Sequence, residues 1–233
     1  MEQPVEPGVR PFPFGLVIFD CDGVLVDSEI IAADVLSRML TAHGQPSDPG
    51  EVLTRFLGKS FKAVQDDYLA RTGSPLPAAF ETAEKKALAE AFRAELKPIA
   101  GIRDVLAMLQ ERGHPFALAS SSSLQRIGHS LEITGLAPFF EGRIFSASMV
   151  RRGKPAPDLF LHVAEAMGVS PAQALVIEDS PAGVTAGKAA GMTVWGFTGG
   201  GHHAQFDGVV ALQRAGADRI LSSMGDFAAT GWG

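Results

Sequence analysis

Cysteine is nearly absent: Cys21 stands alone among 233 residues. An internal disulfide is therefore excluded, as suits a reducing compartment. Positive charge is in deficit, with 20 Lys and Arg against 26 Asp and Glu and a net charge of −6. No dense Lys/Arg run reverses that balance, which argues against nucleic acid as a partner. A small anionic ligand needs only a few local cations and stays open. Long hydrophobic runs are also missing; none approaches the roughly 20 residues that cross a bilayer. The opening "MEQPVEPGVRPFPFG" is polar and proline-rich and lacks the apolar centre of a signal peptide. These absences lead us to expect a soluble, cytoplasmic protein with no membrane contact and no evident protein partner. Residues 1–13 read as a flexible leader.

What is present points to a substantial core. Hydrophobic residues make up 46% of the chain and mean hydropathy is +0.14, against wholesale disorder. Four short apolar runs stand out: Leu16–Phe19, Phe116–Ala119, Ala174–Ile177 and Thr193–Phe197. Continuous runs of that length suit strands covered on both faces, as in a parallel sheet. Helical stripes lie between them. Ile102, Val105, Leu106 and Leu109 form one, closed by Gly113; Leu159, Val163, Ala166 and Met167 form another, closed by Gly168. Ser180 and Pro181 read as an N-cap and first helical residue. Ala217–Leu221 reads as an edge strand. Strands alternating with helices predict an α/β, doubly wound, Rossmann-like parallel sheet over residues 14–27 and 98–233.

Residues 28–97 break that rhythm, with no strand-like run. Ile31, Val35 and Met39 share a helical face closed by Gly44 and Pro46. Asp48-Pro49 opens a second helix, Ser60 is placed to cap a third carrying Phe61, Val64 and Tyr68, and Phe80 to Phe92 supplies a longer fourth. The expectation is an all-helical cap, inserted after the first strand and placed to cover its end.

In open α/β sheets, ligands bind beyond the C-terminal ends of the strands. The first run ends in Asp20, Cys21, Asp22 and Gly23, the second in Ser120 to Ser123, and the third in Glu178 and Asp179. "RRGKPAPD" places Lys154 in a loop stiffened by Pro155 and Pro157. Gathered at one edge, these give four carboxylates, hydroxyls and an ammonium. Four carboxylates need compensation, and a hard divalent cation with oxygen ligands supplies it; Mg²⁺ fits best. A lysine beside such a site implies an anion between the two, and phosphate is the obvious one. Asp20 is then a candidate nucleophile and Asp22 a candidate acid and base.

"DCDGVLVDSE", "LASSSS", "GKPAPD" and "VIEDSPAG" resemble, in order, the four motifs of the haloacid dehalogenase-like hydrolase superfamily. The likeness is greatest to the branch of phosphoglycolate phosphatase, β-phosphoglucomutase and sugar-phosphate phosphatases. The resemblance implies a phosphatase acting on a small phosphorylated metabolite through an aspartyl-phosphate. It implies that Asp20 is phosphorylated, that Asp22 is general acid and base and lends its backbone carbonyl to Mg²⁺, and that Ser120 binds a phosphoryl oxygen. Lys154 would bridge nucleophile and phosphoryl group. Asp179 would ligate the metal, with Glu178 beside it or acting through water. Ser121, Ser122 and Lys59 are further candidate substrate contacts, with Glu29 and Lys62 as cap positions near the leaving group.

Other readings remain. A phosphomutase uses the same core, but the branch's mutase carries a histidine four residues after Ser28, where this chain has Ala32, and a cap arginine that aligns with Phe61. A dehalogenase needs neither Asp22 nor the Glu178-Asp179 pair. A receiver-like phospho-acceptor is far shorter. "GKS" at Gly58–Ser60 lacks the glycine that a P-loop carries five positions earlier, where Leu53 stands. Cys21 is expected to pack rather than react. His202 and His203, on a glycine-rich loop, read as exposed.

Overall fold

The computed structural model describes residues 12–59, 61–205 and 207–230. The Ser60 cap and the C-terminal "GWG" lie outside them, as does the leader up to residue 11.

Six parallel strands form one sheet: β1 (Leu16–Phe19), β2 (Phe116–Ser120), β3 (Ile144–Ser146), β4 (Ala174–Glu178), β5 (Thr193–Phe197) and β6 (Arg219–Leu221), in the order β3-β2-β1-β4-β5-β6. β1 is central, so its C-terminal end lies beside those of β2 and β4. The predicted doubly wound α/β fold is present, and β6 is the expected edge strand. The other edge, β3, escapes a sequence reading because it is three residues long.

The apolar runs are buried on both faces, and alternate residues enter different clusters. Val17, Phe19, Phe116, Leu118, Leu175 and Ile177 pack on one side of the sheet. Leu16, Ile18, Ala117, Ala119, Ala174 and Val176 pack on the other. This is the period-2 geometry of a strand with no solvent face.

Four helices separate β1 from the rest of the sheet: α1 (Glu29–Ala42), α2 (Pro49–Phe56), α3 (Phe61–Thr72) and α4 (Phe80–Glu95). They share a small core of Ala33, Leu40, Val52, Leu53, Val64, Tyr68 and Phe80. Asp48 caps α2 as expected, accepting from the Glu51 amide at 2.9 Å with Pro49 in the first turn. The chain leaves and re-enters the sheet side by side: Asp27 N donates to Lys97 O and Ile99 N to Leu25 O, both at 3.0 Å. The remaining helices are α5 (Ile102–Glu111), α6 (Leu124–Thr134), α7 (Asp158–Ala166), α8 (Pro181–Ala189), α9 (Gly208–Ala215) and α10 (Met224–Ala228). Ser123 and Ser180 cap α6 and α8, which fixes both first turns at the strand-end loops.

Phe12 corrects the proposed limit of the leader. It is half-buried, with edge or tilted ring contacts to Phe14, Trp195 and Phe227 at 5.2–6.3 Å. Packing therefore begins before Pro13. Phe12→Ala is expected to cost about 1–2 kcal/mol in urea unfolding, below the value for a fully buried ring. A change within about 0.5 kcal/mol would return Phe12 to the leader.

Candidate active site

β1 carries Asp20 to the sheet edge, and its amide donates to Ile177 O at 3.0 Å, extending the β1–β4 ladder by one residue. The chain then turns sharply, with Gly23 N donating to Val26 O at 2.8 Å and Leu25 N to Cys21 O at 2.9 Å. Gly23 has φ +78°, and a Cβ there would stand 1.7 Å from Asp179 Oδ2. Only glycine suits both the backbone and the space. Cys21 is buried in the core as expected, and burial pushes its thiol pKa up, which keeps it unreactive.

Each of the two opening carboxylates has its own cation. Lys154 Nζ lies 2.5 Å from Asp20 Oδ1, 2.5 Å from Glu178 Oε1 and 2.9 Å from Ala119 O. Burial opposes the charge on this lysine, but Asp20 and Glu178 outweigh it and raise its pKa. Asp22 accepts from Ser28 Oγ at 2.7 Å, Ser122 Oγ at 2.8 Å and the Arg126 guanidinium at 2.9 Å. Burial pushes the Asp22 pKa up, yet Arg126 and the two hydroxyls hold it below its ordinary value. Arg126 was missed from sequence. Ser123 capping, with Ile127 and Leu131 as the buried stripe of α6, was the available signal that the first turn of a helix follows the serine loop.

Glu178 is satisfied at both oxygens: the second accepts from Ser180 N at 3.1 Å and Ser180 Oγ at 2.9 Å. Asp179 is not. It is 3% exposed, and among the described residues its Oδ2 accepts no hydrogen bond. Asp20, Glu178 and Asp179 each bring a carboxylate oxygen within 4.8 Å of the others. Burial raises the pKa of Asp20 and Asp179, with neighbouring carboxylates adding to it. An all-oxygen donor set with one local cation for three acids fits a hard metal ion.

A cavity of about 1230 Å³ opens above this floor, between α1–α4 and the strand ends. Ser120, fully buried, and exposed Ser121 line it; Ser120 Oγ accepts from Ser122 N at 3.0 Å. Ser122 itself is turned to Asp22. Lys59 is exposed at the cavity rim. Lys62 instead pairs with Asp66 at 2.7 Å. Glu29 lines the cavity with its pKa raised to about 8, by burial and then by Asp22 and Asp179.

His202 contradicts the expectation of an exposed loop. It is fully buried, with Nε2 3.1 Å from Asp179 Oδ2, and its ring lies 4.0 Å from that of half-buried His203. The loop after β5 folds back over the turn that follows β1, a tertiary placement that glycine content alone does not reveal.

The family model for haloacid dehalogenase-like hydrolases matches residues 14–191. This chain belongs to that family. Within it, the hydrolase is 32% identical over 188 residues to 6-phosphogluconate phosphatase of Escherichia coli K12, covering 80% of this chain and 84% of that one. A conserved haloacid dehalogenase-like protein of unknown function from Agrobacterium tumefaciens superposes with TM-score 0.80 at 40% identity, over 93% of this chain and 96% of the other. A family hydrolase from Deinococcus radiodurans R1, solved with bound phosphate and sodium, gives TM-score 0.77 at 36% identity, over 93% and 94%.

In this hydrolase, Gly23→Ala is expected to lower stability by about 1–3 kcal/mol, from strained backbone and the displaced Asp179 carboxylate. Urea unfolding at wild-type stability would show that the turn tolerates a side chain.

Proposed function

We propose that the chain is a Mg²⁺-dependent phosphatase that hydrolyses a small hydrophilic phosphomonoester through an aspartyl-phosphate. The observation that carries this reading is the buried ammonium of Lys154, held between Asp20 and Glu178 at the floor of a large cleft. The three donors of this ammonium are engaged by Asp20, Glu178 and Ala119 O, and the cavity that opens on the cluster has space for an anionic group beside it. The phosphate in the Deinococcus relative is consistent with a phosphoryl group as that anion.

In this reading, a free oxygen of Asp20 attacks phosphorus and the P–O bond to the leaving group breaks. Asp22 enters this step in its acid form, gives that leaving oxygen its proton and is left ionised. Asp22 then takes a proton from water, the water oxygen attacks phosphorus, and the aspartyl P–O bond breaks to release phosphate and restore Asp20. The Arg126, Ser28 and Ser122 contacts favour ionised Asp22, the form that the second half needs. Lys154 holds Asp20 in place and offsets charge on the transferred group, while Ser120 and the neighbouring loop amides face the phosphoryl oxygens. Asp20, Asp179 and the Asp22 backbone carbonyl would hold Mg²⁺, with Glu178 alongside. The ion would supply positive charge against which the phosphoryl oxygens and the nucleophile can approach.

The helices of residues 28–97 act as a cap over the cleft, hinged where Asp27 and Ile99 pair with the returning chain. The walls mix apolar residues such as Leu53, Phe56 and Phe92 with Glu29, Lys59 and Arg126, and these polar groups suit the hydroxyls of a leaving group. With the phosphogluconate phosphatase relative, this supports a sugar or sugar-acid phosphate as substrate. Ala32 and Phe61 line the cavity where the mutase branch carries histidine and arginine, which favours release of phosphate over its return to substrate.

Asp20→Asn is expected to abolish phosphate release from a panel of sugar phosphates. Lys154→Met should lower kcat by at least about 10²–10³-fold. Turnover surviving in Asp20→Asn would reject the mechanism. EDTA should stop release and Mg²⁺ restore it, and saturating Mg²⁺ at 100 times its Kd should stabilise the fold by about 2.7 kcal/mol. Chelator-insensitive activity, with no Mg²⁺ shift in thermal melting, would rule out the metal.

A further inference from the structure

Three of the four strand-end carboxylates are fixed by donors already described: Asp20 by Lys154, Asp22 by Arg126, Ser28 and Ser122, and Glu178 by Lys154 and Ser180. Asp179 has none of these. The side-chain partner it has among the described residues is His202, whose Nε2 stands at hydrogen-bond distance from Oδ2, 3.1 Å, without forming an aligned bond.

The loop that carries His202 is built for this approach. It follows β5 as Thr198-Gly199-Gly200-Gly201. A Cβ on Gly200 would stand 2.9 Å from Gly23 O and 2.8 Å from the His202 ring. A side chain there would lift the loop off the turn after β1. Gly201 N donates to Asp27 Oδ1 at 3.0 Å, which pins the loop from its other side to the point where the chain leaves for α1. The imidazole is thus clamped between the turn of Gly23 and the carboxylate of Asp179, with no solvent exposure. His203, its neighbour, lines a separate pocket of about 440 Å³ on the outer side of the loop.

We propose that His202 is a positioning residue for Asp179. Its Nε2, 3.1 Å from Oδ2, is placed to donate to that oxygen once the carboxylate engages a cation, so that the other carboxylate oxygen is presented to the cation site in one orientation. A metal-binding carboxylate gains affinity and direction from a donor on its outer oxygen. Here that donor comes from a loop outside the four motifs. The inference rests on the proposed role of Asp179 as a metal ligand.

The test is metal affinity in the absence of substrate, read by Mn²⁺ EPR and by Mg²⁺ calorimetry on the full chain. Wild type should bind one ion. His202→Leu should weaken binding by about 10–100-fold, while the KM for substrate at saturating Mg²⁺ stays within about threefold of wild type. His202→Gln, whose amide nitrogen reaches close to the Nε2 position, should recover most of the lost affinity; a merely space-filling histidine would predict no such rescue. Should His202→Leu fail to fold, His202→Asn replaces it, because its shorter amide stops short of Asp179.

Wild-type metal affinity in His202→Leu or His202→Asn overturns the proposal and leaves the phosphatase reading standing. No metal binding by wild type overturns both. A further outcome also overturns it. Asp179, His202 and His203 could together hold an ion, since their ligand atoms lie within 4.8 Å of one another. If Co²⁺ binding produces histidine-ligated absorption that is lost in both His202→Leu and His203→Ala, then His202 is itself a ligand.

Discussion

The ammonium of Lys154 is the contact on which the site depends. Three buried carboxylates, from Asp20, Glu178 and Asp179, converge at one point of the sheet edge. Two like charges 4 Å apart repel by about 4 kcal/mol even at an effective dielectric of 20. Three such pairs come to about 12 kcal/mol, as much as the whole stability of an ordinary domain. Lys154 contacts two of the three acids, which makes the remaining repulsion tolerable. It also leaves the cluster short of positive charge, a deficit that a cation at this point would offset. Removing Lys154 would leave uncompensated buried charge, a more severe change than exchanging the whole group for apolar residues.

Much of this could be read from the chain. The β1, β2, β4 and β5 runs are continuous and apolar because both faces are covered, so their ends could be located and the acids, serines and lysine beyond them gathered on paper. Asp20, Asp22, Ser120, Lys154, Glu178 and Asp179 do meet around one cavity. What resisted reading had a different origin. β3 is too short to show periodicity. Arg126 sits on the polar side of a helix whose buried stripe is only Ile127, Ser130, Leu131 and Thr134, a weak apolar signal. His202 looked exposed because glycine-rich loops usually are. Here the glycines remove side chains so that the loop can lie against the turn after β1, and close backbone approach looks the same in sequence as flexibility. Phe12 was assigned to the leader because prolines surround it; its ring packs regardless.

The position of the helical insert follows from the same geometry. A cleft at the sheet edge is open to water on one side, and the four inserted helices line that side of the cavity. An insert that leaves the chain immediately after the Gly23 turn starts within a few residues of Asp20 and Asp22. It returns beside its own exit, since Asp27 pairs with Lys97 and Ile99 with Leu25. The four helices share a small core from Ala33 to Phe80, while Val35, Leu88 and Phe92 pack into the cluster on one face of the sheet.

The charges that compensate the opening acids come from far along the chain. Lys154 is 134 residues from Asp20, and Arg126 is 104 from Asp22. Both pairs require β2 beside β1, and the Lys154 pair also β3 beside β2, because the Lys154 loop runs between β3 and α7 and Arg126 rides on the helix after β2. A partly folded chain would therefore present Asp20 and Asp22 as an unpaired, solvated turn, unable to concentrate charge on a phosphate. The local motif supplies the carboxylates, and the sheet order supplies the cations that compensate them. Assembly of the site is thus tied to completion of the parallel sheet, and a change that loosens β1 from β2 should disperse it even where every polar side chain is retained.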